Sequence, residues 1–250
     1  MSILLAFKFL TTLPIPAPSN PPPKAMGRAV AFYPLVGAVL GLLLAGADWL
    51  LGLVFVPLLR AALVLALWVG LSGALHLDGF LDCCDGLLAP RSPERRLEIL
   101  RDTHAGSFAV VGAVLLVLVK YAALASLQAP WRLVTFAAIP ALGRWAMAYA
   151  LVRYPLARSG AGLGGLVKAG AGGRELAIAS ALALLAAAAA WARLGPTWGW
   201  LGLATLPLTW AFTVVLARWI MGRIPGLTGD AYGAICELVE VAWLVGLAAL

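Results

Sequence analysis

Seven apolar stretches constrain this chain more than any other feature. They lie near 30–52, 58–77, 108–127, 131–151, 175–192, 198–217 and 232–250. Each approaches the roughly 20 residues that a helix needs to cross a bilayer. Inside lipid the backbone must satisfy its own hydrogen bonds, which leaves helices or closed barrels. Stretches of this length select helices. Composition agrees: 12% of the 250 residues are charged and 63% are hydrophobic, whereas soluble chains carry about a quarter charged residues. The expected fold is an all-α, polytopic transmembrane helix bundle of about seven spans, one integral membrane domain over residues 1–250. Pro34 is expected to kink the first span. Residues 1–13 read as a short interfacial or re-entrant helix. Prolines break the N-terminal apolar run, and no charged n-region or cleavage site marks a signal peptide.

The basic residues test this count. Lys8, Lys24 and Arg28 precede the first span, and Arg91, Arg95, Arg96 and Arg101 follow the second. Arg153, Arg158, Lys168 and Arg174 follow the fourth, and Arg218 and Arg223 follow the sixth. The alternate connections hold only Arg60, Arg132 and Arg193. The positive-inside rule then puts the N-terminus and the three basic connections in the cytoplasm. The net charge of +7 is read as topology signal and headgroup contact, not as nucleic-acid binding. Cys83, Cys84 and Cys236 form no C-x-x-C pair, so neither a disulfide framework nor a zinc site is indicated.

Within this apolar chain, "ALHLDGFLDCCDGLLAPR" gathers Asp78, Asp82 and Asp85. On a helix their positions fall within about 60° of arc. Like charges one turn apart repel, and an ionised Asp at membrane depth costs roughly 2.5–3.5 kcal/mol. A divalent cation would offset both costs. Mg²⁺ suits such a site, because it favours a few carboxylates completed by substrate phosphates and water. Gly79 and Gly86 would let a phosphate or a second backbone approach. His76 lies one position off the acidic face, placed to touch substrate.

Other polar residues collect near the same expected membrane boundary. "RDTHAGSFAV" supplies Arg101, Asp102, His104 and Ser107 before the third span. Asp102 is a further candidate metal ligand, and His104 a phosphate contact or acid–base group. Ser107 is a candidate helix cap. Lys120 and Arg144 lie inside apolar spans, where cations need partners; a diphosphate ester or an internal ion pair would supply them. "RYPLARSGAGLGGLVKAGAGGRE" is Gly-rich and basic, either a lid over phosphates or a plain linker. "PGLTGDAYGAICELVE" places Asp230 and Glu237 on one helical face, with Glu240 a turn further on.

These blocks resemble the cobalamin synthase family (adenosylcobinamide-GDP ribazoletransferase). Its H-x-D-G-x-x-D-x-x-D-G pattern falls here on His76, Asp78, Gly79, Asp82, Asp85 and Gly86. A downstream R-D block matches Arg101, Asp102, Gly106, Ser107 and Phe108, with Ala109 where the family often has Gly. A T-G-D-x-x-G-A-x-x-E block matches Thr228, Gly229, Asp230, Gly233, Ala234 and Glu237. The resemblance implies joining of α-ribazole, or its 5′-phosphate, to adenosylcobinamide-GDP with release of GMP, and a requirement for Mg²⁺. Asp78, Asp82 and Asp85 would then be catalytic. Asp78, Asp82, Asp85 and Asp102 would be the metal ligands. His76, Arg101, His104, Lys120, Arg144, Asp230 and Glu237 would bind substrate. The implied setting is the cell inner membrane with the acidic site facing the cytoplasm; a homo-oligomer or other membrane enzymes of the pathway are the protein partners to consider. A CDP-alcohol phosphotransferase is the nearest alternative, but Pro90 displaces the required arginine to Arg91 and the second aspartate pair is missing. An ion-coupled transporter would place its acids nearer the bilayer midplane.

Overall fold

A computed structural model of the protein describes residues 1–18, 20–129, 131–157, 163–194 and 201–250. They form helices joined by short connections, without a strand among the described residues. The helices are α1 (Ser2–Leu10), α2 (Pro23–Ala29), α3 (Tyr33–Gly52), α4 (Pro57–Leu71), α5 (Leu75–Leu88), α6 (Pro93–Ile99), α7 (Ser107–Ser126) and α8 (Trp131–Arg153). They continue with α9 (Leu163–Ala169), α10 (Gly173–Trp191), α11 (Leu201–Met221) and α12 (Gly229–Ala248). Among the described residues, six segments are long and apolar enough to cross a membrane. A bent pair, α4 with α5, makes up to seven.

Six expected spans reappear with ends shifted by a few residues. Residues 198–200 of the sixth lie outside the described residues. Pro34 does not kink the first span from within. It sits in the first turn of α3, just after a 3-10 turn at Val30–Phe32, where a missing N–H leaves no helical bond unmade.

The second expected span, 58–77, needs correction. α4 ends at Leu71, and α5 leaves it at 89°. Gly73 and Ala74 both take left-handed backbone conformations, φ +61° and +55°. The N–H of Ala74 reaches the Val69 carbonyl and that of Gly73 the Gly70 carbonyl, the paired bonds of a Schellman stop. The N-terminal strap adds to the closure: Thr12 donates its N–H to Leu71 O at 2.9 Å and its hydroxyl to Gly70 O at 3.1 Å. The acidic helix α5 therefore turns sharply away from α4 instead of extending it as one straight span.

Close helix crossings fix the interior. A Cβ on Gly41 would meet Phe136 O, and one on Gly37 would meet Pro140 O. α3 thus lies directly on the backbone of α8, the small-residue packing that membrane helices use in place of a hydrophobic drive. Pro140, inside α8, has no N–H to give the Phe136 carbonyl, and Gly41 backs onto that carbonyl. The outer face of α7 exposes Val111, Val114, Leu115 and Leu118, an apolar surface suited to lipid.

The packing also sorts the connections into two ends. Thr12 bonds to the end of α4, and α2 packs on α9. Ala157 donates to Leu227 O and Leu227 to Pro155 O, both at 2.9 Å. The basic connections thus share one end. At the other, Asp48 accepts from Arg60 Nε at 2.8 Å and Arg132 Nε at 3.1 Å.

Candidate functional site

α5 carries the acids, and α12 comes against it. A Cβ on Gly79 would lie 2.8 Å from Asp230 O, and one on Gly233 would lie 3.0 Å from His76 O. Each helix therefore presents a glycine to the other's backbone. Gly79 admits a neighbouring helix, the second of the two roles expected for it. Thr228 starts α12 by accepting the Ala231 N–H on its hydroxyl at 3.2 Å. This sets Asp230 in the first turn, beside the α5 carboxylates.

The electrostatics show the result. Burial, then the nearby charges of Asp230, Asp78 and Asp85, raise the Asp82 carboxyl to about 6. Four carboxylates thus share one neighbourhood, and the other three oppose ionisation of Asp82. Asp78 is exposed, while Asp82, Asp85 and Asp230 are half-buried.

Asp85 has a second task. Its oxygens accept the backbone N–H groups of Gly106 at 2.6 Å and Ala109 at 2.9 Å. The first turn of α7 is therefore capped from α5. Ser107 was the expected cap, but it is the first helical residue, and Gly106 at the cap position has no side chain to offer. A Cβ on Gly106 would sit 2.7 Å from Asp85 Oδ1, so the glycine makes room for the carboxylate.

Arg101, Asp102 and His104 lie in the exposed connection before α7. His104 donates its N–H to Asp102 Oδ1 at 3.0 Å, and its Nδ1 lies 2.7 Å from the same oxygen. These bonds hold the Asp102 carboxyl below its ordinary range. Asp102 is not among the charges acting on Asp82. The structure thus groups Asp230 with the α5 acids more closely than Asp102. Arg158 and residues 159–162 of the basic, Gly-rich connection lie outside the described residues.

Beneath the acidic rim lies a buried ion network. Lys120 Nζ donates to Glu237 and, at 2.7 Å, to Glu240. Arg144 Nη1 donates to Glu240, and its Nη2 lies 3.3 Å from His76 Nδ1. Two cations face two carboxylates, so the network is charge-balanced. Lys120, Arg144 and Glu237 therefore occupy the internal ion-pair arrangement rather than an open phosphate site. Arginine only donates, so His76 Nδ1 must accept and its proton sits on Nε2.

An apolar cavity of about 370 Å³ opens between these layers. Asp78 and Asp230 border it, with His76, Tyr33, Met147, Tyr232 and several leucines. Tyr232 and the apolar wall were invisible to motif reading, because they lie at unconstrained positions between the acids and glycines. Arg96 was likewise missed as a structural residue. It is buried and donates to the Gly86 and Leu87 carbonyls, closing the C-terminal end of α5. Among the described residues, no three His, Cys, Asp or Glu side chains lie close enough to hold a metal between them. The oxygen donors of Asp78, Asp82 and Asp230 suit Mg²⁺, which commonly completes its shell with substrate phosphates and water. Their mutual repulsion is what such an ion would relieve.

Fold and site together define an integral membrane protein with a carboxylate-rimmed cavity at one end of its helix bundle. The family profile described as Cobalamin-5-phosphate synthase matches residues 2–248. The chain belongs to that family. It is 42% identical to an adenosylcobinamide-GDP ribazoletransferase of Ectopseudomonas mendocina, covering 98% of this chain and 97% of the relative. A Pseudomonas syringae pv. syringae protein of the same name is 41% identical, with 98% of each chain covered. One from Roseiflexus sp. is 37% identical over 97% of this chain and 87% of the relative. No solved structure matches.

Proposed function

We propose that this protein is an Mg²⁺-dependent adenosylcobinamide-GDP ribazoletransferase of the cell inner membrane, with its acidic end facing the cytoplasm. The observation that carries the reading is the gathering of Asp78, Asp82, Asp85 and Asp230, two of which, Asp78 and Asp230, border an apolar cavity. The ribose 3′-oxygen of α-ribazole, or of its 5′-phosphate, forms a bond to the cobinamide-linked phosphorus. The bond from that phosphorus to the bridging oxygen breaks, and GMP leaves with the bridging oxygen. The hydroxyl proton needs an acceptor. A carboxylate of this group outside the ion's shell would take it. Two of Asp78, Asp82 and Asp230 would hold Mg²⁺, with substrate phosphates and water completing its shell, while Asp85 keeps α5 tied to α7. Bound Mg²⁺ supplies charge stabilisation for the attacking and leaving oxygens. Partition of basic residues supports a cytoplasmic site.

The test uses protein purified in detergent with Mg²⁺, adenosylcobinamide-GDP and α-ribazole. GMP and the corrinoid product should form in equal amounts. Turnover of a CDP-alcohol with no GMP from these substrates would overturn the assignment.

A further inference from the structure

We propose that a second cavity, lined by Asp48, Arg60 and Arg132 at the bundle end opposite the acidic site, holds the phosphodiester headgroup of an anionic phospholipid from the leaflet at that end. The three residues come from three helices: Asp48 from α3, Arg60 from α4 and Arg132 from α8. The cavity measures about 670 Å³, within the ~300–1,000 Å³ range of ligand sites. Among the described residues that line it, these three alone carry formal charge. Two arginines against one aspartate leave one positive charge over.

The hydrogen bonds show where that charge is available. Asp48 Oδ1 accepts from Arg60 Nε at 2.8 Å and from Arg132 Nη2 at 2.5 Å. Its Oδ2 accepts from Arg132 Nε at 3.1 Å and from Arg60 Nη2. Arg132 Nη1 is taken up by the Leu124 and Leu127 carbonyls, at 2.7 and 3.2 Å. Arg132 is therefore committed to the protein. Arg60 is not: its Nη1 donates to no group among the described residues, and its side chain is 23% exposed. Gly52 leaves room for this guanidinium, since a Cβ there would lie 2.8 Å from Arg60 Nη1. A guanidinium with an open Nη1 and a surplus positive charge suits a phosphate oxygen.

The surroundings favour a lipid phosphate over a free one. Trp49 borders the cavity and is 64% exposed, and tryptophans gather at the headgroup level of membranes. On α3, Leu42, Ala45 and Trp49 recur at i, i+3 and i+7 and share a face. Leu42 is exposed too, so that face runs from the charged cluster along the spanning part of α3, a track for an acyl chain. The same arrangement selects among headgroups. Phosphatidylglycerol carries one negative charge and matches the surplus. Phosphatidylethanolamine adds an ammonium that needs an acceptor, and each Asp48 oxygen already accepts two N–H groups. Ser126 and Gln128, exposed on the lining, offer polar groups to glycerol hydroxyls.

The test titrates detergent-purified protein with phosphatidylglycerol, with phosphatidylethanolamine of the same acyl chains, and with inorganic phosphate. Retained lipid is counted by native mass spectrometry, and the melting temperature is followed in parallel. Wild type should hold one phosphatidylglycerol about tenfold more tightly than phosphatidylethanolamine, the scale of one charge-assisted hydrogen bond, and should melt higher with it bound. Arg60→Gln leaves Asp48 paired with Arg132 and removes the surplus charge, so it should lose the preference. Lys24→Gln, an exposed change at the basic end, should keep it. Equal retention of both lipids by wild type, an undiminished preference in Arg60→Gln, loss of the preference in Lys24→Gln, or displacement of the lipid by inorganic phosphate overturns the proposal. Where Arg60→Gln fails to fold, Arg60→Lys decides: it keeps the charge but not the fork, so it should still prefer phosphatidylglycerol at weaker affinity, and unchanged affinity overturns the site.

Discussion

The Asp85 carboxylate on α5 accepts the backbone N–H of Gly106 at 2.6 Å. Its other oxygen takes the Ala109 N–H at 2.9 Å. This aspartate therefore caps a membrane helix from a different helix while belonging to the acidic group. Losing a carboxylate cap costs about 0.5–2 kcal/mol. Asp85→Ala should consequently lower the melting temperature in detergent and weaken protection of the first turn of α7 in hydrogen exchange. Asp85→Asn, which retains one acceptor oxygen, should fall between alanine and wild type.

Asp82 predicts a different pattern. Its carboxyl is raised to about 6 by burial and then by Asp230, Asp78 and Asp85. A folded pKa above the unfolded value means that folding favours the protonated acid. This contribution is lost as pH rises through about 6, and the ionised group then destabilises the fold. Asp82→Asn should abolish GMP release yet melt no lower than wild type, with its advantage greatest above pH 6. Mg²⁺ should raise the wild-type melting temperature more at pH 7.5 than at pH 5, and the difference should shrink in Asp82→Asn. Calorimetry across pH and Mg²⁺ concentration measures both effects.

The buried network gives a charge-counting prediction. Lys120 is 3% exposed and shared by Glu237 and Glu240. Its ammonium also lies 5.1 Å from the Trp68 ring centre. Lys120→Met would leave one carboxylate uncompensated, and breaking a buried pair costs about 3–5 kcal/mol. Lys120→Met combined with Glu237→Gln restores neutrality, leaving Arg144 with Glu240. The double variant should recover stability relative to Lys120→Met alone. Equal stability of the two in a denaturation series would show that charge balance does not govern this core.

Much of this architecture was legible in the sequence because bilayer thickness fixes helix length. The apolar runs therefore located most spans, and the basic residues grouped their connections. The break after Leu71 was less visible, since apolar residues continue through Leu75. The decisive signal is local: Gly73, Ala74 and the polar helix beyond them. The i, i+4, i+7 pattern placed Asp78, Asp82 and Asp85 on one face, but spacing cannot reveal what lies opposite. Asp85 meets the Gly106 backbone, and Lys120 meets Glu237 from 117 positions away. Those partners follow from helix packing, as does the cavity beside Tyr232.

The two ends of the bundle give a direct test of orientation. Glu98 is exposed at the end carrying the acids, and Val54 is exposed in the turn between α3 and α4 at the other. Cys83, Cys84 and Cys236 are all buried, so native thiols should contribute little background to labelling in folded protein. With the acidic end in the cytoplasm, Val54→Cys should react with a reagent that reaches the periplasm but cannot cross the inner membrane. Glu98→Cys should react only after that membrane is permeabilised. The reverse pattern would place Asp78, Asp82 and Asp230 on the opposite side and overturn the proposed orientation. Positive-inside partitioning predicts the first pattern, because the basic connections accompany Glu98 at its end of the bundle.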